Sequence, residues 1–190
     1  NIVDKTIEPN DESDPDRIGK DTFVTYNEII DSLTKETEQT VNFTGAGSAT
    51  PKDNVQNDFV FKGSYNEATK ETTWENKDHT YGTVKVPVVT GYFADKAEAG
   101  AKTVTPDLPK ATDTVTYKAL GKIIPVDASG NVIANAPQPQ YLNDANDPRK
   151  AGETAVPEIV GYKPERTSVT PENPGEDTKV TYVKTEQVAV

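Results

Sequence analysis

The residues able to perform acid–base, nucleophilic or metal chemistry are few in kind. His79 is the single histidine, set in Asn76-Lys77-Asp78-His79-Thr80, and cysteine is absent. A triad or a zinc site needs several such groups at defined geometry, so His79 reads as a solvated loop residue rather than a catalyst. The 31 carboxylates offer the raw material of a glycosidase pair, which requires two carboxyl groups facing each other across a cleft. Thin sheets bounded by prolines rarely provide that cleft, so the acids are expected to coat the surface and no enzymatic activity is expected. Asp11, Asp14 and Asp16, or Asn143, Asp144 and Asp147, present oxygens of the kind Ca²⁺ takes. Neither cluster has the order of an EF-hand loop, which leaves calcium as the one candidate cofactor and solvated turns as the plainer reading. Asn42-Phe43-Thr44 is a formal glycosylation sequon, with Phe43 reading as a core strand residue.

The elements that would position these groups are short. Tyr26, Ile29, Ile30 and Leu33 follow the i, i+3, i+4, i+7 spacing of a helical stripe, and Thr25 with Glu28 matches a capping box, which predicts a short helix over 25–35. Strands are predicted over 39–44, with Val41 and Phe43 on one face, and over 57–62, with Phe59 and Phe61 alternating. Further strands are predicted over 72–75, 83–88 and 113–118. In the second half, 122–126 and 132–134 flank Asp127-Ala128-Ser129-Gly130-Asn131, which carries hairpin chemistry. The stretch 141–150, rich in Asn and Asp, has room only for a turn or short helix, and strands return over 154–160 and 178–184. An order of strand, strand, short helix, strand, strand fits a β-grasp domain, a small mixed sheet covering one helix. Pro87 and Pro157 would then lie on strand edges, where a missing N–H breaks no ladder bond and guards against pairing with another molecule.

These elements recur. Val104-Thr105-Pro106-Asp107-Leu108-Pro109 leading to Val115-Thr116-Tyr117 returns as Val169-Thr170-Pro171-Glu172-Asn173-Pro174 leading to Val180-Thr181-Tyr182, with seven identities over 14 residues at an offset of 65. Val86-Pro87 with Gly91-Tyr92 returns as Val156-Pro157 with Gly161-Tyr162 at an offset of 70. Five extra residues therefore sit in the first copy between Tyr92 and Val104, and a loop is the expected place for them. Serial copies of one unit indicate reach and multivalency more than one built site. The expectation is α+β, with two tandem β-grasp (ubiquitin-like) domains placed end to end in an elongated rod. The first domain spans 1–120, with 1–21 as an acidic linker, and the second spans 121–190.

Composition narrows the partners. A net charge of −11 with no basic stripe disfavours nucleic acid, since a binder must neutralise phosphates. No apolar run approaches the roughly 20 residues of a membrane span, so membrane insertion is not expected. The chain opens on Asn1 without an initiator methionine and reads as a piece of something longer, with any export signal encoded outside it.

Taken together the motifs resemble the mucus-binding repeats of lactobacillal cell-surface adhesins. The second half is similar to a mucin-binding-protein (MucBP) domain through Val115 to Tyr117, the Asp127 to Gly130 hairpin, Val156-Pro157 with Gly161-Tyr162, and Val180 to Tyr182. The first half is similar to the companion domain of such repeats through Gln39 to Thr44, Trp74, Pro87 and Gly91-Tyr92. The resemblance implies a non-enzymatic adhesion repeat that binds mucin glycoproteins or their glycans weakly per copy and gains avidity by repetition. It also implies an extracellular, cell-surface location, anchored to the cell wall through a region outside this segment, and a monomer in tandem with sister repeats. Two other readings stay open: immunoglobulin or other host-protein binding, by analogy with antibody-binding β-grasp domains, and a structural stalk spacer. Tyr92, Tyr117, Tyr162 and Tyr182 recur in both copies and read as core or corner residues. If sugar is bound, the unduplicated rings are the places to look, Trp74, Tyr65 and Tyr141 foremost, because a flat apolar ring suits a sugar face. Trp74 reads equally as the anchor of the first core.

Overall fold

The computed structural model describes residues 19, 21 and 23–186. Over these residues the chain is built from strands, and its one helical element is a single 3-10 turn, Gly47–Ala49. The expected α+β arrangement of two β-grasp domains is therefore corrected: the protein is all-β, in several small sheets. The helix predicted over 25–35 is replaced by the strand Ile30–Glu36, paired antiparallel with Val60–Asn66. Of its supposed apolar stripe only Leu33 is partly buried, while Tyr26, Ile29 and Ile30 are exposed. A short helix gains most of its stability from burying such a face, and without one the backbone pairs with a neighbour instead. Glu28, expected in a capping box, accepts a hydrogen bond from Asn66 Nδ2 at 2.8 Å. The stretch 141–150 forms bends and a turn, with one bridge from Asn143 to Ala151, and the linker assigned to 1–21 falls almost wholly outside the described residues.

Each copy of the repeat is organised around a parallel pair. Glu38–Thr44 runs parallel to Lys110–Ala119 in the first copy, and Ile123–Val126 runs parallel to Thr178–Lys184 in the second. A parallel pair needs a long crossover, most often helical; here both crossovers are strand and turn. On the other side of each pair lies a short antiparallel strand, Tyr92–Ala94 or Tyr162–Pro164. The register is the same in both: Tyr117 faces Ala94 and Tyr182 faces Pro164. A second ribbon is also duplicated, Thr83–Lys85 with Glu98–Gly100 and Thr154–Ala155 with Ser168–Val169. Pro87 and Pro157 lie beyond these ribbons rather than on their edges. Their carbonyls accept hydrogen bonds from the buried hydroxyls of Tyr117 at 2.7 Å and Tyr182 at 2.5 Å. Burial raises both phenol pKa values above the usual range.

The pairing also locates the five extra residues. Val84 faces Ala99 as Thr154 faces Val169, so Ala99, not Val104, is the counterpart of Val169. The insertion follows Ala99, and instead of a plain loop it yields the strand Thr103–Val104, paired with His79–Thr80.

Three apolar clusters result. One joins Val41, Phe43, Val86, Val115 and Tyr117; another joins Leu120, Ile123, Tyr141, Val156, Val180 and Tyr182. The third, Phe61, Tyr81 and Val104 with Phe59 and Trp74 against it, exists only in the first copy. It lies beside a three-stranded antiparallel sheet of Ile30–Glu36, Val60–Asn66 and Glu71–Trp74.

Candidate functional site

Trp74 closes the strand Glu71–Trp74 directly opposite Gly63. Directly paired residues share a sheet face, so the indole lies over Gly63, where an added Cβ would stand 2.6 Å from Trp74 Cε3. Glycine here is a packing requirement. The inner edge of the indole meets Phe61, with ring centroids 6.4 Å apart, while the rest is half exposed and forms one wall of a cleft of about 470 Å³. Thr72, Thr73, Lys77, Pro106 and Asp107 line the rest of it. The loop carrying Pro106 and Asp107 is held shut by two bonds between Thr105 and Leu108, one backbone and one through Thr105 Oγ1. Tyr65, half buried, faces Thr72 and so shares the face of Trp74. A flat ring bordered by hydroxyl, ammonium and carboxylate groups can stack on one face of a sugar and hydrogen-bond its edge.

The other singled-out residues lie elsewhere. Tyr141 belongs to the second copy and is 2% exposed. Its hydroxyl donates to the Glu176 carbonyl at 2.7 Å and shares a bond with Thr178 Oγ1, so its ring packs the core and offers no open face. Asp11, Asp14 and Asp16 lie outside the described residues. His79 is not in a solvated loop: it is half buried in a strand, stacked on Phe59 at 3.9 Å and meeting Tyr81 edge-on at 4.8 Å. Among the described residues no cluster of three or more His, Asp or Glu is arranged for a metal, and no helix is long and apolar enough to cross a membrane.

Asn143, considered above only as a calcium ligand, has a different task. Its Oδ1 accepts from Gly91 N at 2.9 Å, and its Nδ2 donates to the carbonyls of Val89 and Tyr92 at 2.9 and 2.8 Å. Gln140 Nε2 donates to the carbonyls of Gly91 and Leu120, both at 3.1 Å, and Ala94 N donates to the Pro148 carbonyl at 2.8 Å. Second-copy side chains thus clasp the loop and strand end of the first. Phe93 crosses the other way and packs against the second cluster, over Gly175. Sequence inspection missed this clasp, because an Asn and a Gln in a polar stretch look like any turn. Beside it lies a groove of about 670 Å³ lined by Lys85, Lys96, Asp95, Asn146 and Arg149. Two of its three cations, Lys96 and Arg149, are already committed. Lys96 pairs with Asp113, holding that carboxyl below its usual pKa, and Arg149 grips Asp147 at 3.0 and 2.9 Å, lowering it to about 2.

Residues 30–121 match the family model of the Muc B2-like domain. No curated protein matches the chain. Among solved structures, the chain is similar to Mub-RV, at 20% identity over 50% of this chain and 61% of that one, with a TM-score of 0.42. It is similar to the mucin-binding domain of Spr1345 from Streptococcus pneumoniae, at 18% identity over 48% and 97%, with a TM-score of 0.39. The type 2 repeat of the mucus binding protein MUB from Lactobacillus reuteri is 19% identical over 47% and 58%, with a TM-score of 0.36. The matched part of this chain thus spans less than two thirds of Mub-RV and of the type 2 repeat, and at these TM-scores the likenesses carry no further inference. The family match is thus to the Muc B2-like domain, and it falls on residues 30–121, the first copy of the repeat.

Proposed function

We propose that the chain is a non-enzymatic adhesion repeat of a bacterial surface protein, binding mucin glycoproteins weakly per copy and gaining strength by repetition. The observation that carries this reading is the Muc B2-like match over 30–121. The reading treats 1–120 and 121–190 as two modules, displayed outside the cell and held to the wall by a region beyond this segment. Within it the glycan contact is the Trp74 cleft, with Tyr65 on the same sheet face; Tyr141, being buried, serves the core. The immunoglobulin alternative leaned on a β-grasp analogy, and the all-β arrangement removes that support.

The test is binding of the full chain to immobilised mucin, to the same mucin after deglycosylation, and to immunoglobulin. The expected result is weak binding to intact mucin that is lost on deglycosylation, falls about tenfold or more in Trp74→Ala, and rises steeply for chains repeated in tandem. Binding that survives glycan removal would replace a glycan with a protein partner. No binding to any of the three surfaces would leave a spacer.

A further inference from the structure

The surface by which the first copy receives the second is itself duplicated. In the first copy the loop is set by Tyr92 N donating to Val89 O at 3.0 Å and Leu120 N donating to Gly91 O at 2.9 Å, with Gly91 at φ 84°. In the second, Tyr162 N donates to Ile159 O at 3.0 Å and Thr185 N to Gly161 O at 2.9 Å, with Gly161 at φ 83°. Side-chain bonds repeat as well: Thr116 N to Asp95 Oδ1 at 3.0 Å returns as Thr181 N to Glu165 Oε1 at 3.2 Å. The groups that Asn143 and Gln140 grip therefore have counterparts in Gly161 N and in the carbonyls of Ile159, Gly161, Tyr162 and Thr185.

The two surfaces differ in what covers them. Around Gly91 the nearest heavy atom to an added Cβ is Gln140 Oε1 at 3.1 Å, whereas around Gly161 no atom of the described residues lies within 4 Å. Val160 beside it is fully exposed. Converging carbonyls with one N–H between them suit a carboxamide, which supplies two donors and an acceptor from one planar group.

We propose that the loop and strand end at Ile159, Gly161, Tyr162 and Thr185 is a docking seat for a following copy built like residues 121–186, gripped by the Asn and Gln of that copy as Asn143 and Gln140 grip the first. The interface is head-to-tail, so one copy presents what the next receives. It is also weaker than its internal precedent. Pro164 stands where Ala94 donates, and proline has no N–H; Lys163 stands where Phe93 packs against the second cluster. The inference is independent of any glycan contact.

The experiment repeats residues 121–190 directly after Thr185, as Gly121 follows Leu120, and follows amide hydrogen exchange at Gly91 and Gly161. In the 190-residue chain Gly91 is expected to be protected and Gly161 open. In the extended chain Gly161 exchange is expected to slow by about tenfold or more. Asn143→Ala in the appended copy alone should abolish that slowing, and Lys163→Phe with Pro164→Ala should deepen it. An appended copy that folds while Gly161 stays open overturns the proposal. So does an appended copy that fails to fold, because the same residues fold when seated on Leu120.

Discussion

The two copies share a skeleton and differ in what is added to it. Both place a parallel pair against a short antiparallel strand in the same register, and both bury a tyrosine whose hydroxyl ends on a proline carbonyl. Only the first adds a three-stranded antiparallel sheet and the strand Thr103–Val104, which create the third cluster and the Trp74 cleft. Even within the shared part, chemistry has drifted. Asp113 and Thr178 hold equivalent places opposite Val41 and Ile123; the first takes Lys96 and Gly100 N as partners, the second the Tyr141 hydroxyl. Duplication has preserved the parts that hold each core together, and the parts free to diverge are where a binding surface can arise.

The comparison breaks first at the tyrosines. Tyr117→Ala and Tyr182→Ala should each cost about 3–5 kcal/mol of unfolding free energy in urea, as large-to-small changes in a packed core do, while Tyr→Phe at either place costs only about 1 kcal/mol. Near-neutral behaviour at one site and collapse at the other would mean the two corners are not equivalent. Next comes the junction: Asn143→Ala removes three bonds between copies and should cost about 2–3 kcal/mol, and calorimetry should resolve two transitions where the parent chain is expected to give one. A single unshifted transition would show the copies to be uncoupled through Asn143.

Val104→Ala and Val169→Ala sharpen the placement of the insertion. Each should cost about 2 kcal/mol, but through different clusters. Val104→Ala should perturb Trp74 fluorescence and mucin binding, and Val169→Ala should leave both unchanged. The smallest effect is on acid stability. Asp113 has its pKa lowered in the folded state chiefly by the hydrogen bond from Lys96, so its contribution is full above the ordinary carboxylate range and fades as pH falls through the folded value. Asp147, lowered to about 2 chiefly by the side-chain hydrogen bond from Arg149, loses its contribution between about pH 4 and 2. Asp113→Asn should therefore flatten the acid limb of a melting-temperature profile belonging to the first copy, where Thr178 in the second gives nothing to titrate.

What could be read from the sequence is what neighbouring residues settle between themselves. The Asp127 to Asn131 turn closes as expected, with Asp127 Oδ1 accepting from Ser129 N and Asn131 N and Gly130 at φ 84°, because every partner lies within four residues. The strand 178–184 and the shared face of Val41 and Phe43 were visible in the sequence as well. Trp74 was visible as an unduplicated ring, although its cleft was not. Tertiary structure decided the rest, wherever a distant partner outweighed local preference. Residues 25–35 carry helical spacing, but Val60–Asn66 supplies a ladder to Ile30–Glu36 and most of the apolar stripe stays exposed. Val104 aligns with Val169 by letter, but pairing assigns that place to Ala99. Asn143 looks like a turn residue until Gly91, 52 positions away, meets its side chain. Short-range spacing carries information about turns and alternation, whereas the choice among pairing partners is a competition between distant segments that only the folded chain resolves.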